Sequence, residues 1–177
     1  MQDRQRGFTL VELMVVVAII AVLAGLMFGV APRPYDANAQ VVADQLTSTF
    51  IYARTRAVST RKVHKVEIYE STEGEQIVEI TAAKDTGMAY SAATVWELVE
   101  IKRVPRSVIV ASVVSGAKAS AGESVTTDPA LTARIDFKPD GSATASTVYI
   151  VDRSASARKY RVLVYHATGS SYAREGW

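Results

Sequence analysis

The sequence has 177 residues, 49% of them hydrophobic, 8% aromatic and 21% charged, which suits one domain or one small domain with an appendage. Twenty basic against 18 acidic side chains leave a net charge of +2, too balanced for a histone-like or strongly nucleic-acid-binding chain. The absence of cysteine excludes a disulfide scaffold, a thiolate zinc or iron–sulfur centre and a thiol nucleophile.

The first element explains an oddity of the composition. Mean hydropathy is +0.11, high for a chain with this much charge. The excess is local, because residues 8–31 hold 20 hydrophobic residues out of 24. Residues 13–31 carry no charged or polar side chain. As a helix they would span about 28 Å, close to the roughly 30 Å of a bilayer hydrocarbon core. A secretory signal peptide has a shorter apolar region and a small-residue cleavage site; here the run is longer and ends at Pro32. Arg4 and Arg6 precede the run, whereas Arg33 after it is countered by Asp36. The positive-inside rule then leaves the N-terminus in the cytoplasm and exports the chain beyond Ala31. Glu12 interrupts the apolar stretch. A carboxylate at the centre of a membrane helix costs about 2.5–3.5 kcal/mol, less near an end. It either sits at head-group level, favoured by the helix dipole, or pairs with a cation of another chain. Ala21, Gly25 and Gly29 form a row of small residues, which is either a helix-docking face or the ordinary background of membrane helices.

Pro32 and Pro34 predict a kink or break. Residues 37–58 then read as an amphipathic helix, with Val42, Leu46, Phe50, Ala53 and Ala57 on the stripe that should pack on a sheet. From residue 63 the pattern becomes short alternating runs, predicting strands over 63–69, 76–82, 95–104, 108–114, 133–137, 147–151 and 159–165. Glu73-Gly74, Asp85-Thr86-Gly87, Asp140-Gly141 and residues 154–158 mark turns between them. The small, polar stretch 112–133 reads mostly as a long, mobile surface loop.

Few residues suggest chemistry. Arg54, Arg56, Arg61, Lys62 and Lys65 concentrate charge at the end of the second helix. They are either a nucleic-acid patch or cations favoured at a helix C-terminus, and the lack of interleaved aromatics favours the second. Asp140-Gly141 is a hairpin turn in preference to a calcium loop, since no run of alternating oxygen ligands surrounds it. His64 and His166 are expected on strand faces without a metal or catalytic role, and Ser170-Ser171 lacks a histidine–acid constellation. No enzyme activity, metal or cofactor is expected. Tyr165, Tyr172 and Trp177 fill the edge of a small core in preference to forming an interaction patch.

The run Arg6-Gly7-Phe8-Thr9-Leu10-Val11-Glu12-Leu13-Met14-Val15-Val16-Val17 resembles the prepilin leader of type IV pilins and type II secretion pseudopilins. The resemblance implies cleavage by a prepilin peptidase between Gly7 and Phe8 and methylation of the new amine. It also implies that Glu12 of one subunit meets the Phe8 amine of a neighbour, so that the subunit docks beneath another. The helix end at residues 53–58, the run Asp136-Phe137-Lys138-Pro139-Asp140-Gly141 and the closing Thr168-Gly169 are similar to GspH/FimT-type minor pseudopilins and minor pilins.

That likeness implies an α+β, pilin-like fold: a long N-terminal helix, half membrane and half amphipathic, packed on an antiparallel β-sheet head. The expected parts are a leader (1–7), a transmembrane and filament-core helix (8–31), a kinked region with the periplasmic helix (32–58) and a β-rich head (59–177). The implied role is that of a minor pseudopilin of a type II secretion pseudopilus near the filament tip. The alternatives are a minor pilin of a type IV pilus or, further off, a DNA-binding minor pilin for uptake. Implied partners are other minor and major pilins or pseudopilins, the prepilin peptidase, the inner-membrane assembly platform and the lipid bilayer before assembly. Nucleic acid is not expected among them. The implied location is the bacterial inner membrane, single pass, with a periplasmic head.

Overall fold

A computed structural model describes residues 10–29, 38–91, 93–120, 122, 124–128, 131–154 and 158–177, with side chains described for α1 only over 10–23. The chain divides into two units, one holding the first helix and the other beginning at residue 37. Pro32 and Pro34, and the break expected at them, lie outside the described residues.

Helix α1 covers Leu10–Gly29, 20 residues or about 30 Å. Its described apolar side chains are exposed, from 50% at Val16 to 75% at Leu10. Glu12 lies in the first turn, where the helix dipole favours a carboxylate. Among the described residues no helix is long and apolar enough to cross a membrane. Residues 10–23 alone amount to only about 21 Å.

The second unit is built on α2, Ala39–Thr60. Asn38 caps its start by accepting from the Val41 amide at 3.0 Å, and Arg61 ends it in the left-handed region at φ 55°. The stripe read from the sequence is the buried face: Val42, Leu46, Phe50, Ala53 and Ala57, joined by Ala39, Ala43 and Thr49.

Eight strands follow: β1 His64–Glu70, β2 Gln76–Ala83, β3 Trp96–Arg103, β4 Val108–Ser115, β5 Thr132–Phe137, β6 Ser146–Asp152, β7 Lys159–Val164 and β8 Ser171–Glu175. The head is thus α+β with antiparallel pairing throughout, as expected, but its strands form two sheets. Sheet A has the order β3-β2-β1-β5 and sheet B the order β4-β6-β7-β8. Helix α2 packs on strands of both. Phe50 from α2 and Phe137 from β5, both fully buried, stack at 6.0 Å between ring centroids in the shared core.

Two polar devices hold the sheets. Gln76 of β2 is buried and bonds twice to Val110 of β4: its Nε2 donates to the carbonyl at 2.9 Å, and its Oε1 accepts from the amide at 2.7 Å. A register shift in β4 between Val110 and Ser112 accompanies this cross-sheet pair. On the outer face of sheet B, Arg161 is buried beside Tyr149 and donates to the carbonyls of Ala119 (2.6 Å) and Ser120. The Lys118 amide donates to Thr147 Oγ1, and that hydroxyl donates to the Gly116 carbonyl, both at 2.8 Å. Residues 112–114 belong to β4, as the strand expected over 108–114 has it, and the stretch read mostly as a mobile loop is corrected at its start, where residues 116–120 are bonded to sheet B.

Candidate assembly helix and head junction

The expected processing site, Gly7 and Phe8, lies outside the described residues. Glu12, Ala21, Gly25 and Gly29 all fall on α1, and the four-residue spacing of the last three sets them along one helix face. Ala21 is exposed.

The five cations at the end of α2 do not form one surface. Arg54 is half-buried, and its Nε donates to the Gly141 carbonyl at 3.3 Å. Lys65 is buried on the outer face of sheet A, 2.8 Å from Glu67 and 4.5 Å above the Trp96 ring. Arg61 is exposed; its backbone ends the helix, and its carbonyl accepts from the Gly87 amide at 3.0 Å. Arg56 lies over the Tyr52 ring, 5.9 Å from its centre. Arg56 and Lys62 line a common groove, whose lining also includes His64 and Glu97. Burial, with Arg56 and Lys62 nearby, pushes the His64 pKa below 6.5, against a backbone bond to Lys62 that raises it.

Arg54 matters through its neighbours. The residues that carry the resemblance to minor pseudopilins meet around it. Asp140-Gly141 forms a tight turn: the Gly141 amide donates to Lys138, and Asp140 Oδ1 accepts from the Ser142 amide (2.9 Å) and hydroxyl (2.7 Å). Those bonds lower the Asp140 pKa. Gly169 sits at φ 57°, and a Cβ there would lie 2.4 Å from the Gly141 carbonyl oxygen and 3.1 Å from Arg54 Cδ. Only glycine fits this approach. His166 lies in the turn after β7 instead of on a strand, exchanging backbone and ring bonds with Ala143. Ser171 donates its hydroxyl to the Thr47 carbonyl at 3.2 Å, so it serves to dock β8 on α2.

The C-terminal aromatics split. Trp177 packs edge-on against fully buried Tyr149 at 5.3 Å, whereas Tyr172 is 55% exposed and meets Tyr165 at 5.9 Å. Among the described residues no three His, Asp or Glu side chains gather as metal ligands.

Comparison with known proteins agrees with both ends of this picture. The prokaryotic N-terminal methylation motif matches residues 2–28. The family described as type II transport protein GspH matches residues 42–168. No curated protein matches the chain. The structure of the minor pseudopilin EpsH from the type 2 secretion system of Vibrio cholerae is similar at 10% identity and a TM-score of 0.49, over 78% of this chain and 97% of that one. Since the GspH match runs from the second turn of α2 to the turn before β8 and takes in more than two thirds of the sequence, the chain belongs to the GspH family of type II transport proteins.

Proposed function

We propose that the chain is a minor pseudopilin, a structural subunit of a type II secretion pseudopilus. One observation carries the reading: a methylation motif over residues 2–28 stands ahead of a GspH head at 42–168. The work is assembly. Prepilin peptidase cuts between Gly7 and Phe8 and methylates Phe8. The 20-residue helix α1 then holds the subunit in the inner membrane with the head in the periplasm, and later moves from lipid into the filament core. Its exposed apolar side chains need such surroundings, since each fully buried aliphatic side chain gains about 1.5–3 kcal/mol. Ala21, Gly25 and Gly29 allow a neighbouring helix to approach closely. In the filament the Glu12 carboxylate pairs with the Phe8 amine of the adjacent subunit, which offsets the desolvation of both charges. The head meets the other minor and major pseudopilins near the tip.

The test is a gene deletion scored for exoprotein secretion and for pilus-dependent motility. Loss of secretion alone is expected. Loss of motility alone would move the subunit to a type IV pilus. Mass spectrometry of assembled material should find Phe8 at the mature N-terminus, and an intact Met1 would end the processing scheme.

A further inference from the structure

Strand β3 is an edge: it pairs with β2 and, among the described residues, with no strand on its other side. Its faces are set by a bulge. Ile80 opposes Glu100 but Thr81 opposes Leu98, so Val99 is the extra residue. Trp96, Leu98, Ile101 and Arg103 oppose Ala83, Thr81, Glu79 and Ile77, which alternate along β2 and share one face. Glu97, Glu100 and Lys102 lie on the face toward α2, where Lys102 Nζ is 3.1 Å from Thr49 Oγ1. Leu98 is 60% and Ile101 49% exposed. Two exposed aliphatics on a long edge strand are what isolated sheets avoid, because such an edge recruits another strand.

Charge says which strand it recruits. Both acids precede both bases along β3, in the order Glu97, Glu100, Lys102, Arg103. An antiparallel copy of the same strand reverses that order. We propose that β3 pairs antiparallel with β3 of a second copy of this chain, about a two-fold axis between Val99 and Glu100. Leu98 then faces Ile101 of the second copy, Trp96 faces Arg103, and Glu97 faces Lys102. An apolar pair, a cation–π pair and an ion pair result, each made twice by symmetry. The bulge is what makes this possible. If Val99 were paired regularly instead of bulged, Leu98 and Ile101, three residues apart, would point to opposite faces and could not be partners. A parallel alignment would set acid against acid.

Copies can pair before any filament exists, so this interface can stand or fall independently of the secretion role. The chain has no cysteine, which leaves single-cysteine variants free of background. Full-length Glu97→Cys and Lys102→Cys chains, differently tagged and co-expressed, are oxidised in their native membranes. The mixed disulfide should exceed either homodisulfide severalfold. In detergent solution, Glu97→Lys with Glu100→Lys should raise the dimer Kd roughly tenfold. Adding Lys102→Glu, which re-forms both copies of the ion pair and leaves Arg103 against Trp96, should bring it back toward the parental value, with near-ultraviolet circular dichroism checking that each head remains folded. A monomer at all concentrations, a dimer indifferent to the reversal, or a β3 crosslink to a different subunit and not to a copy would each overturn the proposal.

Discussion

Arg54 and Gly169 lie 115 positions apart in sequence, yet a Cβ on Gly169 would come within 3.1 Å of Arg54 Cδ. The helix, the β5–β6 turn and the turn before β8 are fastened at this point, with the Gly141 carbonyl as the shared acceptor. Gly169→Ala should therefore cost about 2–3 kcal/mol, from left-handed strain plus a backbone clash. Gly176→Ala makes the control: it has φ 78° but nothing within 4 Å, and should cost about 1 kcal/mol. Urea unfolding of the two variants separates clash from strain. Equal losses would refute the close approach.

The cross-sheet amide offers a second test. Gln76→Leu removes both partners of Val110 and strands a buried N–H and a buried C=O. Thermal unfolding should show a loss of about 2–4 kcal/mol. A loss below about 1 kcal/mol would mean that the sheets are held by apolar packing alone.

His64 gives the head a pH dependence. Above pH 6.5 the imidazole is neutral in both folded and unfolded chains. Below it the unfolded chain binds a proton that the folded site resists, so stability is lost as pH falls from 6.5 toward the lowered folded value. The drop in urea midpoint between the two sides of pH 6.5 should be smaller in His64→Gln than in the parent. An unchanged drop would assign the acid sensitivity to other groups.

Phe50→Ala empties the middle of the core, where the ring is fully buried against Phe137. A loss of about 3–5 kcal/mol in chemical denaturation is expected. Ile51→Ala, one position along and half-exposed, should change stability by less than about 1 kcal/mol.

Glu12→Ala isolates the assembly step. The helix remains apolar, so membrane fractionation should find the chain inserted as before, while sheared filament fractions should lose it. Normal incorporation of the variant would remove the proposed pairing with Phe8.

Periodicity made α2 legible, because its five stripe residues are the ones that reach the core. Seven strands were legible for the same reason, each within a residue or two of its observed bounds. Strand β8 was not. Its sequence Ser171-Tyr172-Ala173-Arg174-Glu175 has no apolar alternation, and it is held by pairing with β7 and by the Ser171 bond to α2. The partition into two sheets was also hidden, since alternation reads the same in one sheet as in two, and the polar link between them joins Gln76 to Val110, thirty-four positions away. The strap over sheet B looked like a free loop because its anchor, Arg161, lies about forty residues further on. The basic cluster near Arg54 looked like one surface only in one dimension: helix and sheet geometry send Arg54 and Lys65 to different faces.

The junction around Arg54 also bears on timing. Its three parts come from the first helix of the head, the middle of the chain and the turn at Gly169. In a chain that emerges N-terminus first the parts arrive in that order, so the Arg54 junction is complete only after Gly169 has emerged, although earlier strands can already cover the apolar stripe of α2. Closing contacts at such separations is slow compared with forming a helix. The head is therefore fastened last at its two ends in sequence, and a chain cut short before Gly169 would lack that fastening while keeping most of its core.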